Sequence, residues 1–171
     1  MIDGTRKLPM MISMPDKLPL RLASCPSAPL PQQVFLAVVS VAEMLDYQLA
    51  HVLRAEDITP AQYNVMRILR GVADEGHPCH EIASRLVKQV PDLTRVLDRL
   101  EARELISRER ETGDRRVVRV RIQPSGIEIL NRLDAAVRAL HHEQISTLSE
   151  GEQKSLLDLL HRIGTASEAR P

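Results

Sequence analysis

Residues 80–122 read HEIASRLVKQVPDLTRVLDRLEARELISRERETGDRRVVRVRI, and the change of hydrophobic period inside this stretch decides the fold. In its middle, Leu93, Val96, Leu97 and Leu100 fall at helical spacing, so a helix opening at Pro91 must turn that face to a core. After Ile106 the period drops to two: Val118, Val120 and Ile122 alternate with Val117, Arg119 and Arg121. Thr112-Gly113-Asp114-Arg115 supplies turn signals between two short runs, which predicts a β-hairpin over residues 106–122. Upstream, a short helix from His80 to Val87 carries Ile82, Ala83 and Leu86, and a brief polar link joins it to the next. The two helices, over about 80–103, form a helix-turn-helix candidate.

Outward from this centre the chain remains helical. Thr59-Pro60-Ala61-Gln62 combines an N-cap, a proline preset for the first helical position and a glutamine able to reach back, so a helix starts there and stops at Gly71. From 32 to 54, Phe35, Val38, Ala42, Leu45, Leu49 and Val52 line a seam for packing against other helices. Beyond the hairpin a helix returns at Pro124 with Ile127, Leu130, Leu133 or Asp134, Val137 and Leu140. Ser149 and Glu152 form a capping box before a last helix with Leu156, Leu157, Leu159, Leu160 and Ile163. Residues 1–31 hold six of the eleven prolines without periodicity and read as a flexible arm, and residues 166–171 read as a tail. The expected order is α-α-α-α-β-β-α-α, a mainly α fold with a small β-hairpin wing.

Composition bounds the function. Aromatic residues are only 2% of the chain, so the core rests on Leu, Val, Ile, Ala and Met. Lys plus Arg equals Asp plus Glu at 23 each, so no whole-molecule field draws in a partner and any charge argument is local. Two widely separated cysteines make no disulfide framework, which suits a reducing, cytoplasmic setting. No apolar run approaches the roughly 18 residues of a membrane span. Leu22-Ala23-Ser24-Cys25 resembles a lipoprotein processing box, but Asp16, Lys17 and Arg21 occupy its apolar region, so export is not expected. Gly-rich phosphate loops, paired carboxylates and nucleophile elbows do not occur, so an enzyme is not expected.

The excess of positive charge is local to the helix pair and hairpin. From Arg85 to Arg121 the chain carries eleven cations against seven anions. With Leu93, Val96, Leu97 and Leu100 inward, Asp92, Arg95 and Arg99 lie along another face. A helix about 20 Å long fits the major groove of B-DNA, and a ribbon with a cationic tip fits the minor groove beside it. Mixed Arg/Glu runs are also common on merely solvated helices, so charge alone leaves both readings open.

The quoted stretch, together with TPAQYNVMRIL at 59–69 and GDRRVVRVRIQPSG at 113–126, resembles the MarR family of transcriptional regulators. The resemblance covers residues 59–123 and implies a winged helix-turn-helix flanked by dimerisation helices at 32–54 and 124–165. It implies that Asp92, Thr94, Arg95 and Arg99 face base edges and phosphates, Asp92 being either a specificity determinant or simply a helix-start residue. In the wing it makes Asp114 the carboxylate that braces an arginine, and Arg116 the arginine held for the minor groove, with Arg115 the second choice. Glu104 departs from the family's usual glycine after the reading helix, so either that cap is strained or the turn differs. The resemblance further implies a homodimer on a pseudo-palindromic double-stranded operator, repressing until a small-molecule effector binds between the dimer helices and the DNA-binding lobe. The seam itself fits intrachain packing as well.

Alternatives of the same fold are a protein-interaction module without DNA binding and a redox or metal sensor. His77-Pro78-Cys79-His80 groups three potential ligands but fits no common zinc template, and adjacent His141 and His142 point to different helix faces. No metal or cofactor is therefore expected. Neither Cys25 nor Cys79 has a sequence neighbour that would evidently activate a thiol.

Overall fold

Helix α2, Pro60–Arg70, begins with reciprocal caps. The Thr59 hydroxyl accepts from the Gln62 amide at 3.3 Å, and the Gln62 side chain accepts from the Thr59 amide at 2.9 Å, satisfying two otherwise unpaired donors. The computed structural model describes residues 28–73, 75–88, 90–111 and 117–168. Cys25 of the arm and Asp114, Arg115 and Arg116 of the expected wing turn lie outside the described residues. The remaining elements are α1 (Leu30–Leu53), a 3-10 turn (Arg54–Glu56), β1 (His77–Pro78), α3 (Cys79–Arg85), α4 (Leu93–Ala102), β2 (Ile106–Arg110), β3 (Val118–Ile122), α5 (Pro124–Ile145) and α6 (Glu150–Glu168). The Ser149 and Glu152 capping box opens α6, which runs on to Glu168.

The chain divides into two compact units between Tyr47 and Gln48. The first contains the greater part of α1, where Phe35 and Val38 of the expected seam are 65% and 41% exposed. By length and a mean hydropathy of 1.3, Leu30–Glu56 is apolar enough to cross a membrane. This corrects the expectation drawn from unbroken runs, because a window average tolerates the Gln, Ser and acidic residues that interrupt the run. Glu43 and Asp46 near its middle would be costly in hydrocarbon.

The second unit holds one core. Leu53, Val65, Met66, Leu69, Ile82, Leu97, Leu100, Val120 and Leu130 are essentially inaccessible to water. Each such side chain contributes roughly 1.5–3 kcal/mol of apolar burial. Leu133, not Asp134, faces this core, while Asp134 takes both terminal nitrogens of Arg70, at 2.9 and 3.0 Å, and so ties the end of α2 to α5.

Three sequence expectations change. The hairpin is the larger part of a three-stranded antiparallel sheet ordered β1-β3-β2, because His77 and Pro78 pair with Val120 and Arg119. Helix α3 stops at Arg85 and Leu86 turns extended, packing against the core, while Ala83 is exposed. Helix α4 begins at Leu93 rather than Pro91, since Asp92 serves as its N-cap.

Two backbone positions carry opposite demands. Gly76 sits at φ +67, and a Cβ there would stand 2.5 Å from the Val120 carbonyl oxygen, so glycine lets the chain approach β3. Glu104 adopts φ 56 without being glycine. The Glu104 amide donates to the Glu101 carbonyl at 2.8 Å and the Leu105 amide to the Leu100 carbonyl at 3.0 Å, a Schellman closure with Leu100 and Leu105 both buried. The departure noted at Glu104 is thus a strained cap of ordinary form. Gly76→Ala is expected to lower unfolding free energy by about 1–3 kcal/mol and Glu104→Gly to raise it by about 0.5–1 kcal/mol, both read from denaturant melts. Equal signs for the two would refute this reading of the backbone.

Candidate nucleic-acid interface

Helix α4 is held by its apolar face and by its first residue. Leu97 and Leu100 are buried and Leu93 and Val96 pack against the core, which leaves Thr94, Arg95 and Arg99 exposed on the remaining surface. The Asp92 carboxylate accepts from the Arg95 amide at 3.0 Å, satisfying a free helix-start donor and favoured there by the helix dipole. The helix-start role of Asp92 is therefore occupied in this structure.

Strand β2 is fastened to α4 by one side chain. Arg108 lies on the sheet face shared by Val120 and Ile122, both buried, since Arg108 pairs with Val120 and Ile106 with Ile122. Such a position requires its charge to be met. The Arg108 Nε donates to Glu101 at 2.9 Å, an Nη reaches Asp98 at 2.7 Å, and the Arg108 amide donates to Glu101 at 3.1 Å. Asp98 and Glu101 stand one turn apart on α4, so the guanidinium spans both. Glu101's carboxyl is held below its ordinary value of 4.5, first by the Arg108 hydrogen bond, with burial opposing.

The other sheet face carries diagonal ion pairs. Arg121 donates to Glu109 at 2.7 Å, and Arg119 donates to Glu111 at 2.7 Å, each arginine bonding a carboxylate on β2 or just past it, two residues from its direct cross-strand partner. Arg119 also donates to the Glu75 and Gly76 carbonyls at 3.3 and 3.2 Å, closing the turn before β1 onto β3. Arg103 is engaged by carbonyls of residues 56 and 57.

The cluster of cations seen in sequence thus separates by task. Arg103, Arg108, Arg119 and Arg121 hold the fold together. Arg85, Arg95, Arg99 and Arg110 are exposed, with no ion pair among the described residues. Sequence reading missed this division, because which arginine meets which carboxylate depends on strand register and on the docking of β2 against α4. The only local signal was Asp98 and Glu101 at i and i+3.

His77 is buried on β1, its Nδ1 lies 2.8 Å from Glu81, and its Nε2 has no partner among the described residues. His80 is exposed, and no group of three metal-ligating side chains assembles among the described residues. Burial pushes the half-buried Cys79 thiol above its ordinary value, against a smaller opposing effect of Arg108. A thiolate sensor requires the opposite shift. His141 lies on the exposed side of α5, hydrogen-bonded to Gln144 at 3.1 Å.

Residues 58–118 match the model of the MarR family. Among curated relatives, the HTH-type transcriptional regulator MhqR of Bacillus subtilis (strain 168) is 32% identical over 107 residues, 63% of this chain and 72% of that protein. Among solved structures, a MarR transcription factor from Planctomyces limnophilus is 32% identical with a TM-score of 0.62, covering 78% of this chain and 97% of the other. A mutant MarR from E. coli complexed with operator DNA is 28% identical with a TM-score of 0.69, covering 78% and 94%.

The Arg108 cluster makes a titration prediction. Because the folded-state pKa of Glu101 is depressed, the interaction stabilises the fold above the ordinary carboxylate value of 4.5 and is lost as pH falls through the folded value. Thermal midpoints measured from neutral pH downward should fall less steeply for Arg108→Gln than for the natural chain. Parallel curves would show that the cluster is not coupled to folding.

Proposed function

This chain belongs to the MarR family of transcriptional regulators, and we propose that it acts as a homodimeric, sequence-specific DNA-binding repressor released by a small-molecule effector. The observation that carries the reading is the exposed face of α4. The side chains of Thr94, Arg95 and Arg99 make no hydrogen bond or ion pair among the described residues, while neighbouring arginines of the sheet are spent on structure. Arginine's planar fork suits guanine edges and phosphates, and a helix of this length fits a major groove. The solved E. coli relative complexed with operator DNA supports the same use of the fold.

In this reading Thr94, Arg95 and Arg99 enter the major groove and the wing reaches the adjoining minor groove through Arg116, with Arg115 as second choice and Asp114 bracing the turn. Arg85 and Arg110 join them as exposed cations for the phosphate backbone. Asp92 acts through its cap, setting the direction of Arg95 rather than reading a base.

Exposed apolar surface supports dimerisation. Phe35 and Val38 on α1, and Leu157, Leu159 and Ile163 on α6, are between 41% and 65% exposed. Apolar faces of this extent are costly in water, and a second copy covering them places two reading helices on half-sites about 10 base pairs apart. The protein then works in the cytoplasm, where its operator is. An effector favouring a helix spacing that no longer matches the operator lowers affinity.

Fluorescence anisotropy with DNA from the protein's own promoter region, across a salt series, tests this function. Binding is expected to weaken steeply with salt and to favour that DNA over random sequence. Arg99→Ala and Arg116→Ala should each cost about 1–3 kcal/mol, with Arg116→Ala also relaxing any preference for A·T-rich flanks. Absence of binding at low salt would leave a protein-interaction module as the better reading.

A further inference from the structure

Two corners of the second unit place a residue other than glycine in the left-handed region, Asp57 at φ 53 and Glu104 at φ 56. Both close a helical segment by the same pattern. Before the first corner, the Asp57 amide donates to the Arg54 carbonyl at 3.1 Å and the Ile58 amide to the Leu53 carbonyl at 3.2 Å. The second corner is the Glu104 closure at the end of α4. Ile58 and Leu105, the residues that follow the two corners, are both buried. Strained corners persist only where their surroundings fix them.

The two corners fix each other, and α5 fixes both. Arg103, immediately before Glu104, donates to the Asp57 carbonyl at 2.6 Å and to the Glu56 carbonyl at 3.1 Å. Arg132 of α5 donates through Nε and Nη2 to the two carboxylate oxygens of Glu56, both at 2.8 Å. Ser125, in the first turn of α5, donates its hydroxyl to the Glu104 carbonyl at 2.6 Å. A closed ring of hydrogen bonds therefore runs from α5 to the 56–57 corner, to the end of α4, and back to α5. The planar, two-pronged contacts of both arginines set angles as well as distances. Glu56's carboxyl is held below its ordinary value, chiefly by the Arg132 hydrogen bond, so the ring stays charged at neutral pH.

We propose that this ring is a mechanical clamp, in which Glu56, Arg103 and Arg132 are positioning residues that hold α4 at the angle set by α5. It rests on the reading that α4 contacts DNA while α5 belongs to the dimer frame. A displacement of α5 then reaches α4 through two strained corners and two arginines. Exposed ion pairs add little stability, so the clamp's effect lies in orientation. Arg103, although a cation at the end of the reading helix, is committed to carbonyl oxygens and is not a phosphate contact.

Glu56→Gln, Arg132→Gln, the double variant and Arg103→Gln in the full chain test the clamp. Amide hydrogen exchange is read at Leu105 and, as a control for global loosening, at Met66. Operator affinity is read across a salt series. Each single variant should speed exchange at Leu105 and weaken operator binding by about threefold to tenfold, with Met66 unchanged. The double variant should be no worse than either of its singles, and the salt slope should match that of the natural chain. Unchanged exchange at Leu105, or equal acceleration at Met66, would overturn the clamp. For Arg103→Gln, a salt slope reduced by about 0.9 would do the same, because it would make Arg103 a phosphate contact. If the natural chain binds no DNA while Leu105 exchange responds as described, the DNA reading fails and the mechanical link stands.

Discussion

One guanidinium supplies the charged link between the helix that turns its polar face outward and the sheet with which it shares a core. Arg108 stands on the core side of β2, where an unpaired charge would be costly, and Asp98 and Glu101 on α4 meet it. That pairing lets β2 carry an arginine on the same face as buried Val120 and Ile122 without leaving its charge unmet. With it, α4 is tied to β2 by charge as well as by the shared core, and the exposed residues Thr94, Arg95 and Arg99 stand on the far side of a helix so anchored. A platform of this kind lets a few side chains discriminate partners, because little conformational freedom remains to be lost on binding.

Much of this architecture was legible in the sequence because its causes are local. Thr59 and Gln62, and Ser149 and Glu152, announce helix starts through chemistry confined to four residues. The switch of period after Ile106 identified the strands and their inward residues, since alternation is a property of the strand itself. Glu104 was conspicuous as a non-glycine where a left-handed cap was expected, and its φ of 56 accounts for the anomaly.

What was not legible depends on residues far apart in the chain. His77 and Pro78 form a strand only because β3 offers its free edge, and two residues carry no periodicity. The partners of Arg103 lie 46 and 47 positions away. Choosing between Leu133 and Asp134 required knowing that Arg70 ends α2 opposite α5. Charge counting treated eleven cations alike, whereas strand register and helix docking divide eight arginines among the described residues into four that hold the fold and four left exposed.

In the proposed dimer, two such reading helices act together on one duplex. Hydroxyl-radical footprinting of the full chain on its own promoter region tests that claim most directly. The expected pattern is two equivalent half-sites of backbone and minor-groove protection centred about 10 base pairs apart, with guanine N7 atoms inside each half-site shielded from dimethyl sulfate in a parallel reaction. One isolated half-site, or no protection at concentrations where the chain is folded, would contradict it.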